Sequence, residues 1–261
     1  MAAWHLLTFA DRRFLRSRDR LVASAAALGA ASIHAHDPHS IRDRDWARDH
    51  RRILRQPRGA GYWLWKPFLI LDTLRALPPG EFLIYCDSGA ALVADPAPLL
   101  ERCARADGLL FFLVHGFEQW RYTKRDCFVL MGCDTPRYWD APQVNAAFLV
   151  LRHEPATLAF VAEWAAWASN FDLITDAPNR CGLPDLPGFV AHRHDQSILA
   201  LLVEKHGLVR LPDPSQHGEA RRREGPDAFP TIFDHHRTRT LRLRERLRMR
   251  LGAWRHALFK R

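Results

Sequence analysis

Closely spaced cysteine pairs are missing from this 261-residue chain. Its five cysteines, Cys86, Cys103, Cys127, Cys133 and Cys181, are odd in number and widely separated. That pattern excludes a zinc knuckle and argues against an extracellular disulfide scaffold. A reducing cytoplasm is the expected setting. No run approaches the roughly 18 consecutive apolar residues of a bilayer span, and GLLFFLVHG suits a buried strand instead. The opening MAAWHLLTFADRRFLRS has no basic leader followed by an apolar stretch and a small-residue cleavage site, so no secretory leader is expected. Neither GxxxxGK followed by Ser or Thr nor GxGxxG occurs, which removes the ATPase-type phosphate loop and the dinucleotide fingerprint. Internal repeats and a clean interdomain linker are also missing.

A hydrophobic content of 48% fits a packed globule. The formal charge of +9 favours anionic partners such as nucleotides, nucleic acids or phospholipid surfaces, without choosing among them. Much of that charge lies after residue 235.

The apolar pattern predicts a strand from Trp4 to Ala10, a helix from Phe14 to Leu28 and a strand from Ala31 to Ala35, which is the opening of a parallel α/β sheet. Ala23, Ala26 and Ala27 offer a small-residue packing face on that helix. Helices are expected over Asp45–Leu54, from Lys66-Pro67 to Leu77, and over Pro96–Ala106, Asp126–Met131, Pro155–Ser169 and Asp195–Lys205, with Pro78-Pro79-Gly80 stopping the second. Strands are expected over Glu81–Cys86, Leu109–Val114, Asn145–Arg152 and Leu208–Leu211. The Pro-, Gly- and Asp-rich stretch Asn170–Phe189 reads as an excursion near an active face, and residues 212–230 as a polar loop.

FLIYCDSGA carries the most chemistry. An apolar strand ends at an exposed carboxylate, Asp87, followed by Ser88 and Gly89, at the sheet edge where ligands of open α/β folds bind. Asp87 suits a divalent cation bridging two phosphates; the same three residues also make an ordinary turn. RGAGYWLWKP sets Arg58 and Lys66 beside Tyr62, Trp63 and Trp65, with Gly59 and Gly61 permitting close backbone approach. Cations meet phosphate oxygens and aromatic faces cover sugar rings; a Trp-rich helix entrance with basic tips explains the residues equally.

Taken in order, TFAD, RGAGYWLWKP, YCDSG, QWRYTKRD, VNAAFLVLR, HRHDQSIL and HHR resemble bacterial GT-A-fold glycosyltransferases of the nucleotide-diphospho-sugar transferase superfamily, from about Leu6 to Arg237. The resemblance implies a single GT-A-like (Rossmann-like) α/β domain over 1–237, with a central mixed, mainly parallel sheet. It places Thr8, Phe9 and Ala10 in the nucleoside pocket. Asp87 matches the first carboxylate of the family's Asp-x-Asp metal motif, while Gly89 replaces the second, so a Mn²⁺ or Mg²⁺ requirement is less secure than sugar transfer. The motif QWRYTKRD would border the donor cleft or support it, with Lys124 and Arg125 either touching the donor or simply solvated. Thr123 and Asp126 also have capping-box spacing. Asn145 suits a sugar hydroxyl. Asp195 and Gln196 match a late Asp-Gln element; Asp195 is either the proton acceptor of an inverting reaction, a sugar-orienting group, or a helix N-cap. One histidine of the HHR motif, His235 or else His236, would join Asp87 at a metal and Arg237 would face phosphate, since three adjacent residues of an extended chain cannot all point into one site.

Beyond residue 237, Leu243, Leu247, Leu251, Trp254 and Leu258 recur at helical spacing among many arginines. A basic amphipathic tail over 238–261 is expected. It suits an anionic cytoplasmic membrane face, packing on its own domain, or oligomer formation. The expected activity moves a sugar from a nucleoside diphosphate donor, UDP-sugar first, to a hydroxyl of a cell-surface saccharide or lipid-linked glycan. The alternatives are a sugar-nucleotide hydrolase, or a noncatalytic peripheral membrane or nucleic-acid-binding protein on the same fold. Nucleic acid is the less expected partner, since no such module is recognisable.

Overall fold

The computed structural model describes residues 2–218 and 228–236. Arg237 and the tail expected over 238–261 lie outside the described residues. Nine short strands form within them. We label these β1 (Trp4–Phe9), β2 (Ser32–His36), β3 (Phe82–Cys86), β4 (Ala90–Leu92), β5 (Leu109–Glu118), β6 (Pro142–Val144), β7 (Phe148–Arg152), β8 (Arg210–Pro212) and β9 (Phe233–His235). Seven of them make one sheet in the order β2-β1-β3-β7-β5-β6, with β8 also paired to β5; β4 and β9 pair separately.

The sheet is mixed. β1 runs parallel to β2 and β3, and β8 runs parallel to β5. β7 is antiparallel to both β3 and β5, and β6 is antiparallel to β5. Five strands therefore share one direction, while β6 and β7 oppose them. β5 reaches Glu118, four residues past the stop expected at Val114. Its start pairs with β7 at Leu109 and Leu110, and its later part pairs irregularly with β6 at Leu113 and Glu118. Gly116, at φ +75°, sits within that irregular stretch, where glycine carries little conformational penalty.

Strand alternation sends side chains to two apolar layers. Leu7, Phe9, Leu83, Tyr85, Phe111 and Leu149 pack with the helices Trp65–Ala76, Pro155–Ala168 and Asp195–Lys205. Leu6, Ile84, Leu110, Phe112 and Val150 pack on the other face with Leu15–Ala27 and Ala97–Arg105. The packing face of Leu15–Ala27 is Ser17, Leu21 and Ala25 rather than the alanines expected from the sequence: Ala23, Ala26 and Ala27 are exposed. Residues four apart share a helix stripe, and burying Leu21 fixes which stripe turns inward. Cys86, Cys103, Cys127 and Cys133 are buried and all five cysteines are free thiols.

Among the described residues, no helix is long and apolar enough to cross a membrane.

Candidate active site

The carboxyl ends of β1 and β3 open into a cavity of about 1020 Å³. Phe9 and Ala10 contribute one wall from the end of β1, and Asp87, Ser88 and Gly89 another from the end of β3. The remaining wall comes from Leu113, His115 and Phe117 of β5, from Asn145 to Ala147 between β6 and β7, and from the chain entering the helix at Asp195. An aromatic floor is set by Phe9 stacked on Trp65, ring centroids 3.9 Å apart.

The segment before Lys66 has an unusual backbone. Gly59, Ala60, Gly61, Tyr62 and Trp63 all have positive φ, from +51° to +98°, so the chain makes one left-handed helical turn. Each non-glycine residue in that conformation costs about 1–2 kcal/mol. Gly59 and Gly61 are required on steric grounds as well. A Cβ on Gly59 would stand 2.4 Å from the Trp63 ring, and one on Gly61 2.6 Å from Leu54 Cα. The turn presents Arg58, Gly59, Ala60 and Trp63 to the cavity and delivers Lys66 to the first turn of the next helix.

Lys66 is the centre of the charged cluster. Its Nζ lies 2.7 Å from Asp195 Oδ2 and 3.7 Å from Asp87 Oδ1, and donates to the Ala146 carbonyl at 3.0 Å. The side chains of Lys66 and Asp195 are only 3% and 4% exposed, whereas that of Asp87 is 36% exposed and faces the cavity. The Tyr85 hydroxyl donates to Asp87 Oδ1. Burial pushes the Asp195 carboxyl up to about 6, with Lys66 opposing that rise and Asp87 adding to it. Burial alone would lower the Lys66 ammonium, yet Asp195 and Asp87 together hold it above its usual value. Burial, reinforced by the negative Asp87, pushes the Tyr85 phenol well up, so it remains a proton donor to the carboxylate.

His194 precedes Asp195 at φ 55°, ψ −118°, a conformation that costs a non-glycine residue on the order of 1–3 kcal/mol. Its ring is held between elements. Nδ1 is 2.8 Å from the Ile174 carbonyl, Nε2 is 3.9 Å from Asp176, and Tyr62 and Trp63 pack against it at 4.7 and 5.7 Å. Burial lowers its pKa to about 4, leaving it neutral at physiological pH. Burial and the neighbouring His194 lower His192 well below its usual value too. Asp195 is therefore the first helical residue behind a strained neighbour, not the helix N-cap; its carboxylate turns to Lys66.

The residues singled out in the sequence divide between cavity and core. Phe9, Ala10, Arg58, Lys66, Asp87, Ser88, Gly89, Asn145, Asp195, Gln196 and His235 all line the cavity. Thr8 does not. It is fully buried in β1, and its position alternates with Phe9, so it faces the opposite layer. Tyr62 packs on His194 outside the lining. Lys124 is also outside: its Nζ donates to the Ala177 carbonyl at 2.7 Å and pairs with buried Asp126 at 3.2 Å. Arg125 is bound to Asp134 at 2.9 Å. Thr123 does not cap the helix Arg125–Leu130; its hydroxyl donates to Gln119, and Gln143 links that pair to Gln196. The QWRYTKRD segment is thus a support behind the cavity wall.

Asn145 lines the cavity with both amide atoms engaged, Nδ2 on Asp213 at 2.8 Å and Oδ1 accepting from Ala147 N at 2.9 Å. His235 arrives through pairing of β9 with β4, which sets it opposite Ala90; the next residue, His236, donates its backbone N–H to the Gly89 carbonyl at 3.0 Å. Asp11, Arg13, His115, Phe117, Arg193, Asp213 and His217 also line the cavity and were not singled out as site residues. Asp11 and Arg193 lay inside quoted motifs, TFAD and HRHDQSIL, and were the legible ones. Arg193 is held over the rings of Phe117 and Tyr122, at 4.6 and 4.7 Å.

The donor set among the described residues does not fit a resident divalent cation. Among the described residues, no group of three or more His, Cys, Asp or Glu side chains is arranged to hold a metal. Of the two side chains expected at an ion, Asp87 and His235, one Asp87 oxygen is already shared by Tyr85 and Lys66, and Gly89 adds no second carboxylate beside them.

No family model matches the chain, and no curated protein does. Among solved structures, it is similar to mouse xyloside xylosyltransferase 1 in its apo form (TM-score 0.48, 14% identity, 90% of this chain and 97% of that one). It is similar to an active-site mutant of LgtC (TM-score 0.48, 12% identity, 95% of each chain). It is also similar to the apo WbbM bifunctional glycosyltransferase (TM-score 0.49, 11% identity, 82% of this chain and 39% of that one).

Proposed function

We propose that this protein transfers a sugar from a nucleoside diphosphate donor to a hydroxyl of a saccharide or lipid-linked glycan, with UDP-sugars the first donors to examine. One observation carries this reading: the cavity at the carboxyl edge of the sheet joins the end of β1, the Asp87-Ser88-Gly89 turn and the buried Asp195 carboxylate in one space. An aromatic ligand such as a nucleobase fits beside Phe9 and Ala10, and the diphosphate fits toward Arg58, whose half-exposed guanidinium is held by Asp176 at 3.4 Å. Arg13 lines the same cavity, paired with Asp11 at 2.6 Å.

In the transfer step, the acceptor hydroxyl gives its proton to an Asp195 oxygen as its own oxygen bonds the anomeric carbon. The bond from that carbon to the diphosphate breaks, and its electron pair leaves with the nucleoside diphosphate. Arginines aimed at the departing charge lower the barrier, since fixed groups need no reorganisation. The water-poor setting of Asp195 raises its basicity toward the working pH.

Calorimetry against a panel of nucleoside diphosphate sugars tests the reading, followed by product analysis with and without glycan acceptors. Nucleotide-sugar binding, together with acceptor-dependent product, supports transfer. Donor consumption that yields free sugar regardless of acceptor identifies a hydrolase. Salt-sensitive nucleic-acid binding with no nucleotide-sugar affinity would show a binding protein.

A further inference from the structure

We infer that Lys66 is a positioning residue, which holds Asp195 and Asp87 at fixed places on the cavity wall and makes no contact with the diphosphate. The inference rests on the transfer reading above. Sequence alone permits a phosphate contact, because Lys66 follows a glycine-containing loop and sits beside aromatic residues. The geometry assigns its charge elsewhere. The ammonium is enclosed, and its contacts are Asp195 Oδ2 at 2.7 Å, the Ala146 carbonyl at 3.0 Å and Asp87 Oδ1 at 3.7 Å. These atoms come from three separate parts of the chain: the start of the helix Asp195–Lys205, the connection between β6 and β7, and the turn after β3. One short rigid link therefore ties the base to the carboxylate facing the donor. A phosphate oxygen could approach Nζ only from the side where Asp87 already stands, because the ammonium's two hydrogen-bond-distance contacts, the Asp195 carboxylate and the Ala146 carbonyl, are buried.

The groups around Asp195 identify what Lys66 controls. From the turn after β3 comes Asp87, with the Tyr85 hydroxyl bonded to it from β3. From the helix Pro155–Ala168, the Trp164 indole N–H reaches only the Asp195 backbone carbonyl, at 3.2 Å. On its own segment are Gln196 and the neutral His194. Lys66 is the cation paired with the Asp195 carboxylate, so its removal leaves burial and Asp87 both favouring the protonated acid.

The test compares Lys66→Met, Lys66→Arg, Asp195→Asn and the double variant Lys66→Met/Asp195→Asn. UDP affinity is read by calorimetry, and turnover of the best UDP-sugar is followed against pH. Lys66→Met is expected to bind UDP within about threefold of wild type, to lose roughly 100-fold in kcat, and to move the acid limb of its rate profile upward by about one pH unit or more. Lys66→Arg recovers most of the rate. The double variant is no slower than Asp195→Asn alone, because the lysine acts through that carboxylate. A tenfold or greater loss of UDP affinity with an unmoved limb would overturn the inference and restore the phosphate role. If Lys66→Met does not fold, the double variant decides, since the carboxylate it leaves without Lys66, Asp87, is partly exposed rather than buried: UDP affinity equal to that of Asp195→Asn supports the inference, and a further tenfold loss overturns it. Wild type that binds no nucleoside diphosphate or its sugar sinks the transfer reading itself. Wild type that binds and turns over, beside a Lys66→Met protein with unchanged rate and limb, sinks this inference alone.

Discussion

The indole N–H of Trp65 reaches back 3.0 Å to the Gly59 carbonyl and closes the left-handed turn from the helix that follows it. This bond helps hold a backbone that the residues of the turn do not favour. The turn then fixes Trp63 against His194, next to Asp195.

Replacing either glycine of the turn tests that rigidity. A Cβ on Gly61 meets the Leu54 backbone at 2.6 Å, and one on Gly59 meets a Trp63 ring already stacked on His194. Gly61→Ala and Gly59→Ala are each expected to cost about 2–4 kcal/mol and to lower Tm by roughly 5–10 °C. Gly132→Ala is the control. Its φ is also positive, +68°, but nothing lies within 4 Å of the added carbon, so it should cost only about 1 kcal/mol. Equal losses at all three positions would show that φ alone matters and that the contacts do not.

Asp126 anchors the excursion that carries Asp176 to the cavity rim. Its carboxylate accepts from the backbone N–H groups of Arg180 and Cys181, both at 2.8 Å, and pairs with Lys124. Burial would raise this carboxyl, but those hydrogen bonds and Lys124 hold it below its ordinary value. A depressed folded pKa gives stability that is complete above the unfolded value, near pH 4, and that disappears as pH falls through the folded value. Asp126→Ala should cost about 3 kcal/mol at pH 7 by leaving Lys124 without its partner. The gap between wild type and variant, measured by urea denaturation, should shrink as pH drops from 5 toward 3. A gap independent of pH would mean that packing, not the charge, is what the residue supplies.

The sequence showed where strands and helices fall because apolar periodicity and Pro/Gly stops are local signals. The strand FLIYC ending at Asp87, and the helix starting at Asp195, were both readable. The Lys66–Asp195 pair was not, since the two residues are 129 positions apart and only the tertiary fold sets Nζ against Oδ2. Lys124 misled for the complementary reason. A basic residue in a polar run looks solvated or ligand-facing, and nothing local shows that Asp126 and the Ala177 carbonyl bury it. Thr8 shows a third limit: a motif can mark the right strand end while alternation sends one member to the other face. The left-handed turn was foreshadowed only by Gly59 and Gly61, because Ala60, Tyr62 and Trp63 do not signal positive φ.

The proton-acceptor role proposed for Asp195 predicts a pH dependence of definite sign. In that role it must be ionised, so kcat/KM should fall about tenfold per pH unit below the value of about 6 at which its carboxyl titrates. Asp195→Asn should lose on the order of 10²- to 10⁴-fold in transfer while keeping donor affinity. A full-rate Asp195→Asn protein would remove the residue from the proton path.

Chelation separates protein cations from metal as the source of charge neutralisation. An essential cation would need Asp87 and His235 plus further donors, and Gly89, two residues after Asp87, supplies no carboxylate. Arg58 and Arg13 already put positive charge in the same cavity. Donor turnover after dialysis against EDTA is therefore expected to stay within about threefold of the untreated rate, whereas Arg58→Ala should lower it by roughly 10- to 100-fold, the cost of about 1.4–3 kcal/mol of transition-state stabilisation. Gly89→Asp offers the converse comparison, because a second carboxylate two residues after Asp87 would create a cation site and make turnover respond to added Mn²⁺. Loss of wild-type turnover on chelation, restored by Mn²⁺ or Mg²⁺, would show that the diphosphate brings an ion which these two donors suffice to hold, and the arginines would then be secondary.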